Sequence, residues 1–221
     1  MRVAVYYAPS PADPLWGAAA RWLGRDAETA AAVAQPDVPG LAALTAEPRL
    51  YGFHATLKPP MQLATSYDLF LEDVARLAGS LRAFALPPLA VADLSGFLAL
   101  RETQASAGLQ ALADACVGGL DAHRAAPDEA ELARRRRGGL PAAQEAMLVR
   151  WGYPHVFETW FFHMTLTRRL TEVERAVVRP AAEAHFAGVL GVGRMVDALT
   201  VFTQAGPGAP FLVAERLALR A

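Results

Sequence analysis

Two five-residue strings, Phe53-His54-Ala55-Thr56-Leu57 and Phe162-His163-Met164-Thr165-Leu166, share one frame and lie 109 positions apart. The chain has only five histidines, so two in the same frame constrain it more than any bulk property does. The downstream elements repeat as well. "GFHATLKPP" and "FETWFFHMTLT" both read as strands, and each is followed by a helical stretch and two strand-forming stretches joined by a turn. His54 precedes Val91 by 37 positions and His163 precedes Leu199 by 36. Two copies are too few for a solenoid. They point to a duplicated, bilobed α+β fold, with two antiparallel sheets facing a central cleft and helices packed outside. We expect a single domain over residues 1–221, with lobe-forming halves at about 1–103 and 157–221, strands pairing within each lobe, and a helical connecting segment 104–156.

Local signals fill in this frame. "RVAVYYA" is a first strand, and Asp13-Pro14 starts a helix that stops at Gly24. Residues 25–40 read as loop. Pro59-Pro60 should end the strand after His54, because proline cannot donate to a ladder. Ser66 caps a helix over about 67–84, and "PLAVADL" and "FLALRE" form a hairpin around Ser95-Gly96. Gln104–His123 reads as an amphipathic helix. Two short helices come next, on either side of Gly138-Gly139. Thr171 with Glu174 makes a capping box, and "MVDALTVFTQ" and "PFLVAERLAL" are the final strands.

Strand alternation gives the repeated string its chemistry. Residues i and i+2 share a face, so His54 points with Thr56, and His163 with Thr165. Ala55, Leu57, Met164 and Leu166 turn to the core. Each lobe then offers one imidazole and one hydroxyl. Imidazoles titrate near neutrality, so one serves as base and the other as acid in phosphodiester hydrolysis, while hydroxyls hold non-bridging oxygens. One His-x-Thr would be an ordinary strand feature, whereas two copies at matching places in a repeat favour a site. No His-x-His, His-Glu-x-x-His or carboxylate cluster accompanies them, so we expect no metal and no cofactor.

Lys58 stands two beyond Thr56 and offers charge to a phosphate, or else is a solvated strand end. Tyr51 and Tyr153 are candidates to stack on a base or sugar, and aromatic residues at such positions also serve as core. Tyr6 and Tyr7 carry the same two readings, whereas Arg168 and Arg169 offer one side chain to a phosphate or else are surface-exposed. Arg134–Arg137 is the densest charge run; a solvated helix end is favoured there over a mobile nucleotide-binding flap. His155 is the remaining histidine placed to approach the cleft.

Net charge of −1 supplies no global field for DNA or anionic membrane. No apolar run approaches the roughly 20 residues of a membrane span. A single cysteine, Cys116, rules out an internal disulfide and reads as a buried helix residue. We expect a cytoplasmic monomer.

The two motifs resemble those of the two-histidine (2H) phosphoesterase superfamily, which carries two His-x-[Thr/Ser]-hydrophobic motifs in a duplicated, bilobed fold. The strings "YYAPSPADPLWGAAARWLGRD", "LTAEPRLYGFHATLKPP" and "RWGYPHVFETWFFHMTLT" are similar to one branch, the phosphonate-metabolism proteins of carbon–phosphorus lyase operons. The resemblance implies His54 and His163 as catalytic residues, with Thr56 and Thr165 on the substrate. It implies a metal-independent phosphodiesterase acting on a small cyclic phosphate, either a 2′,3′-cyclic nucleotide or RNA end, or a phosphoribosyl cyclic phosphate. The alternative is a non-catalytic module that binds a phosphorylated metabolite or RNA end in the same cleft. A nucleotidyl ligase fits less well, since neither a P-loop nor an adenylated-lysine motif is present.

Overall fold

The computed structural model describes residues 1–221. The chain opens on β1 (Arg2–Tyr7), a strand whose apolar residues are all buried. Asp13 then caps α1 (Pro14–Leu23), accepting from the Leu15 amide, and Gly24 ends it in the left-handed conformation that glycine adopts without steric cost. Two short helices, α2 (Leu41–Leu44) and α3 (Ala46–Tyr51), lead into β2 (Ala55–Gln62). Ser66 caps α4 (Tyr67–Ser80) as its position predicts. Next come β3 (Phe84–Leu86), then the hairpin β4 (Leu89–Leu94) and β5 (Phe97–Glu102), whose turn residues Ser95 and Gly96 both have positive φ.

The middle of the chain holds α5 (Ala107–Gly119), α6 (Glu129–Arg135) and α7 (Ala142–Trp151). The second motif supplies β6 (Met164–Thr165), only two residues long. Then come α8 (Glu172–Leu190), with the expected Thr171–Glu174 capping box, and β7 (Arg194–Val196), β8 (Ala198–Gln204) and β9 (Phe211–Ala218).

The α+β class read from the sequence holds: every strand pair is antiparallel. The pairing, however, crosses the expected halves. One sheet runs β2-β1-β8-β9, a second runs β4-β5-β6, and β3 pairs with β7. The strand after His54 thus shares a sheet with the C-terminal hairpin, and the strand after His163 with the first-half hairpin. Sequence similarity between the halves does not reveal this exchange, because either partner satisfies the same pattern of apolar residues. Residues 104–156 are more than a connector. Leu109, Leu112, Ala113, Cys116 and Val117 of α5 are buried, and the helix packs along β2. α1 and α8 pack together, α8 also covers β4, and α4 covers β8 and β9. A single main core cluster joins residues from both sheets, from Val3 and Leu57 to Leu98 and Met164.

β2 does not stop at its prolines; it continues through Pro59 and Pro60. It is the edge of its sheet, so the missing amides cost no second ladder. Against β1 it is irregular twice. Tyr6 faces Thr56 but Val5 faces Lys58, and Val3 faces Met61, so β2 has one extra residue at each step. Each extra residue reverses which way the following side chain points.

Candidate active site

Each motif histidine sits immediately before its strand, at the point where the chain enters the sheet. The alternation read from the sequence is kept. Ala55, Leu57, Met164 and Leu166 are buried in the core, while His54, Thr56, His163 and Thr165 are partly exposed. All four line one cleft of about 360 Å³, within the size range of small-molecule sites. Tyr51 and Tyr153 line it too, from the end of α3 and from the turn after α7.

The two imidazoles are held alike. His54 Nδ1 lies 2.9 Å from the Gly52 carbonyl and His163 Nδ1 lies 3.1 Å from the Phe161 carbonyl, each two residues upstream. A carbonyl only accepts, so Nδ1 carries the proton and donates; Nε2 is left as the free lone pair. His54 Nε2 stands 3.3 Å from Thr56 Oγ1, which donates to it. Burial is the first cause that depresses both pKa values. It brings His54 down to about 4, with His163 pushing the same way and the Gly52 carbonyl partly opposing. His163 is lowered by burial, then by His155 and Arg101, against the Phe161 carbonyl. Both rings are therefore neutral at pH 7.

Their neighbours differ. Tyr6 stacks on His54 with ring centroids 3.7 Å apart, and its buried hydroxyl has no partner in the protein. His163 stacks on Phe161 at 4.7 Å and meets the edge of Phe97 at 6.0 Å. Two tryptophans brace the motif backbones: Trp160 Nε1 donates to the Thr56 carbonyl at 2.8 Å, and Trp22 Nε1 to the Leu166 carbonyl at 3.1 Å. The Trp160 bond runs from one motif to the other and sets Thr56 relative to the second strand.

Lys58 is a correction. It does not line the cleft; its ammonium is buried, 2.9 Å from Asp121 Oδ1 and 2.8 Å from the Val117 carbonyl. The extra residue in β2 between Thr56 and Lys58 turns the lysine away from the threonine's face and toward α5. Its counterpart Thr167 is nearly buried at the cleft wall and accepts from the Leu98 amide at 3.0 Å. The remaining histidines are engaged elsewhere. His123 lies between Thr65 and Asp73 at 2.7 and 2.9 Å, and His185 binds the Ala18 carbonyl at 2.8 Å. His155 contacts the aromatic wall through Tyr153 and Phe161.

Sequence reasoning underweighted the arginine run. Arg134 and Arg135, at the end of α6, both line the cleft, whereas Arg136 pairs with Glu145 at 2.6 Å. Arg2, Arg168 and Arg169 line it as well, and Glu47 is its one carboxylate. No group of three or more histidine, cysteine, aspartate or glutamate side chains is arranged to hold a metal ion. No helix is long and apolar enough to cross a membrane.

The chain matches, over residues 56–212, the family model described as protein of unknown function (DUF1045). It belongs to that family. Among curated proteins it is 40% identical, over 227 residues, to ribose 1,5-bisphosphate phosphokinase PhnN of Janthinobacterium sp. (strain Marseille), covering 98% of this chain and 50% of that protein. To the protein of the same name from Laribacter hongkongensis (strain HLHK9) it is 40% identical over 217 residues, covering 96% of this chain and 50% of the relative. The chain thus spans about half the length of the curated relatives it matches. Among solved structures it is similar to a phosphoesterase, with a TM-score of 0.46, 14% identity, and 100% of this chain and 99% of that one covered. It is also similar to E. coli LigT complexed with NADP+, with a TM-score of 0.47, 14% identity, and 100% and 98% covered.

Proposed function

We propose that the cleft hydrolyses a small cyclic phosphodiester by two-histidine acid–base chemistry, with no metal ion. The observation that carries this reading is the matched pair of imidazoles. Each is oriented by an Nδ1–H bond to a carbonyl, His54 Nε2 lies 3.3 Å from the Thr56 hydroxyl, and both rings border one cleft with Thr56 and Thr165. A bound phosphate anion raises the affinity of both rings for a proton, so one becomes imidazolium while the other stays neutral. The neutral Nε2 takes a proton from water as the water oxygen bonds to phosphorus. The imidazolium Nε2 gives its proton to the sugar oxygen as the P–O ester bond breaks. Thr56 and Thr165 donate to the non-bridging oxygens, and Tyr51 and Tyr153 flank the sugar or base.

The relatives' name suggests where such a reaction belongs. If water opens a ribose 1,2-cyclic phosphate 5-phosphate at the 2-oxygen, the product is a ribose 1,5-bisphosphate. A 2′,3′-cyclic nucleotide fits the same chemistry. The kinase activity in that name is not assigned to this chain. A P-loop kinase needs a glycine-rich loop and a free lysine, and the only lysine here, Lys58, is buried in an ion pair.

The test is a panel of cyclic phosphates assayed with and without EDTA. His54→Ala and His163→Ala should each lower kcat by at least about 10²-fold, the usual worth of a positioned acid or base, with thermal stability nearly kept. Full activity in both variants would refute the reading. Saturable binding with no turnover in the wild type would identify the cleft as a binding module.

A further inference from the structure

The cleft carries more positive charge than one phosphodiester needs. Arg2, Arg134, Arg135, Arg168 and Arg169 border it, against the single lining carboxylate Glu47. Glu174 answers Arg168 at 2.9 Å, and Glu131 answers Arg135 at 2.6 Å and Arg134 only at 3.7 Å. Arg2 and Arg169 have no acidic partner, and Arg134 and Arg135 share the single carboxylate of Glu131, so positive charge exceeds negative around the cleft even with Glu47 counted. A cyclic phosphodiester has one negative charge, and the protonated member of the imidazole pair already balances it. The surplus suits a dianion elsewhere on the same molecule.

α6 is the element built to read it. None of its residues is buried, so the core does not require it. It lies between Pro127 and the positive-φ pair Gly138-Gly139, and its own contacts hold it in place. The Arg135 guanidinium lies 4.7 Å over the Tyr153 ring, its side chain is only 11% exposed, and its Nε is buried with no partner. An arginine merely solvating a helix end would not be buried against an aromatic wall with an unused donor. Past Arg135 a smaller cleft of about 130 Å³ continues, sharing Arg135 and Pro60 with the main one. A substrate can therefore extend beyond the histidines toward α6.

We propose that Arg134 and Arg135 recognise a second, terminal phosphate, so that the preferred substrate is a cyclic phosphate that also carries a phosphomonoester. This rests on the phosphodiesterase reading, and the test separates the two. Ribose 1,2-cyclic phosphate and adenosine 2′,3′-cyclic phosphate are each compared with and without a 5-phosphate. Wild-type enzyme should favour the phosphorylated member about tenfold or more in kcat/KM, mainly through KM. The Arg134→Gln/Arg135→Gln double variant should bring that ratio close to one, and Arg136→Gln, whose partner is Glu145, should keep it. Equal rates on both members in the wild type would overturn the proposal, and so would a preference that survives in the double variant. In parallel, adenosine 3′,5′-bisphosphate and 3′-AMP are titrated calorimetrically. If no compound is turned over, the phosphodiesterase reading fails, while tighter bisphosphate binding that is lost in the double variant still supports the arginine assignment. Equal binding of the two nucleotides overturns that as well.

Discussion

Replacing Asp121 by alanine should destabilise the protein more than replacing Lys58, although Lys58 is the more deeply buried partner. The Lys58 side chain is 1% exposed and that of Asp121 is 24% exposed. Without Asp121, a buried ammonium keeps only the Val117 carbonyl at 2.8 Å. Removing one member of a buried pair costs roughly 3–5 kcal/mol, and the partial exposure of Asp121 places this case near the lower end, about 3 kcal/mol. For a chain of this size that lowers Tm by roughly 6–12 °C. In Lys58→Met the volume is kept and Asp121 remains paired with Arg124 at 2.7 and 3.0 Å, so about 1–2 kcal/mol is lost. The pH dependence has a definite sign. Burial already lowers the Lys58 pKa, with Asp121 opposing it. In Asp121→Ala the opposing partner is gone and the folded-state pKa falls further. Between the lowered folded-state pKa and the unfolded value of about 10.4 the unfolded chain binds the extra proton, so the variant gains stability as pH rises through that window. Urea unfolding of both variants and wild type at pH 7 and 9.5 measures this. Lys58→Met proving the worse variant, or a deficit in Asp121→Ala that widens with pH, would refute the reasoning. Loss of turnover in Lys58→Met with stability kept would return Lys58 to the site.

Three further outcomes are expected. Since His54 is held down to about 4 and His163 is also lowered, the unfolded chain takes up protons first; this contribution to stability is full above about pH 6.5 and is lost as pH falls toward 4. Denaturant midpoints between pH 7 and 4 should drop less in His54→Gln than in wild type. Trp160→Phe removes the bond to the Thr56 carbonyl, costs about 1 kcal/mol in thermal unfolding, and should depress kcat beyond what that loss explains. Tyr6→Phe deletes a buried hydroxyl with no internal partner, so Tm should stay level or rise; a fall in activity alongside would show that the hydroxyl serves the ligand.

Short-range chemistry in the chain was legible. The caps at Asp13, Ser66 and Thr171, the Ser95-Gly96 turn and the alternation around both histidines all appear as read, since each depends on residues within a few positions. What was hidden depends on partners. The strand expected over 157–167 is a short 3-10 turn and a two-residue ladder, because only Met164 and Thr165 find places opposite Leu100 and Ala99. Lys58 was misplaced because irregular pairing is a property of two strands, and nothing in "TLKPP" alone states it. Arg135 reads as an exposed helix end until Tyr153, 18 positions on, is folded against it.

The crossed pairing of strands also governs how the protein is made. β1 lies between β2 and β8, so the sheet that carries His54 is incomplete until residues 198–218 have been synthesised. For most of translation β1 and β2 form an unfinished two-stranded sheet with an open edge. Such edges recruit other chains, and pairings this distant in sequence form slowly. A nascent chain of this family therefore completes its β4-β5-β6 sheet at residue 165, well before the sheet that carries His54, and chaperone demand should be set by that delay more than by final stability.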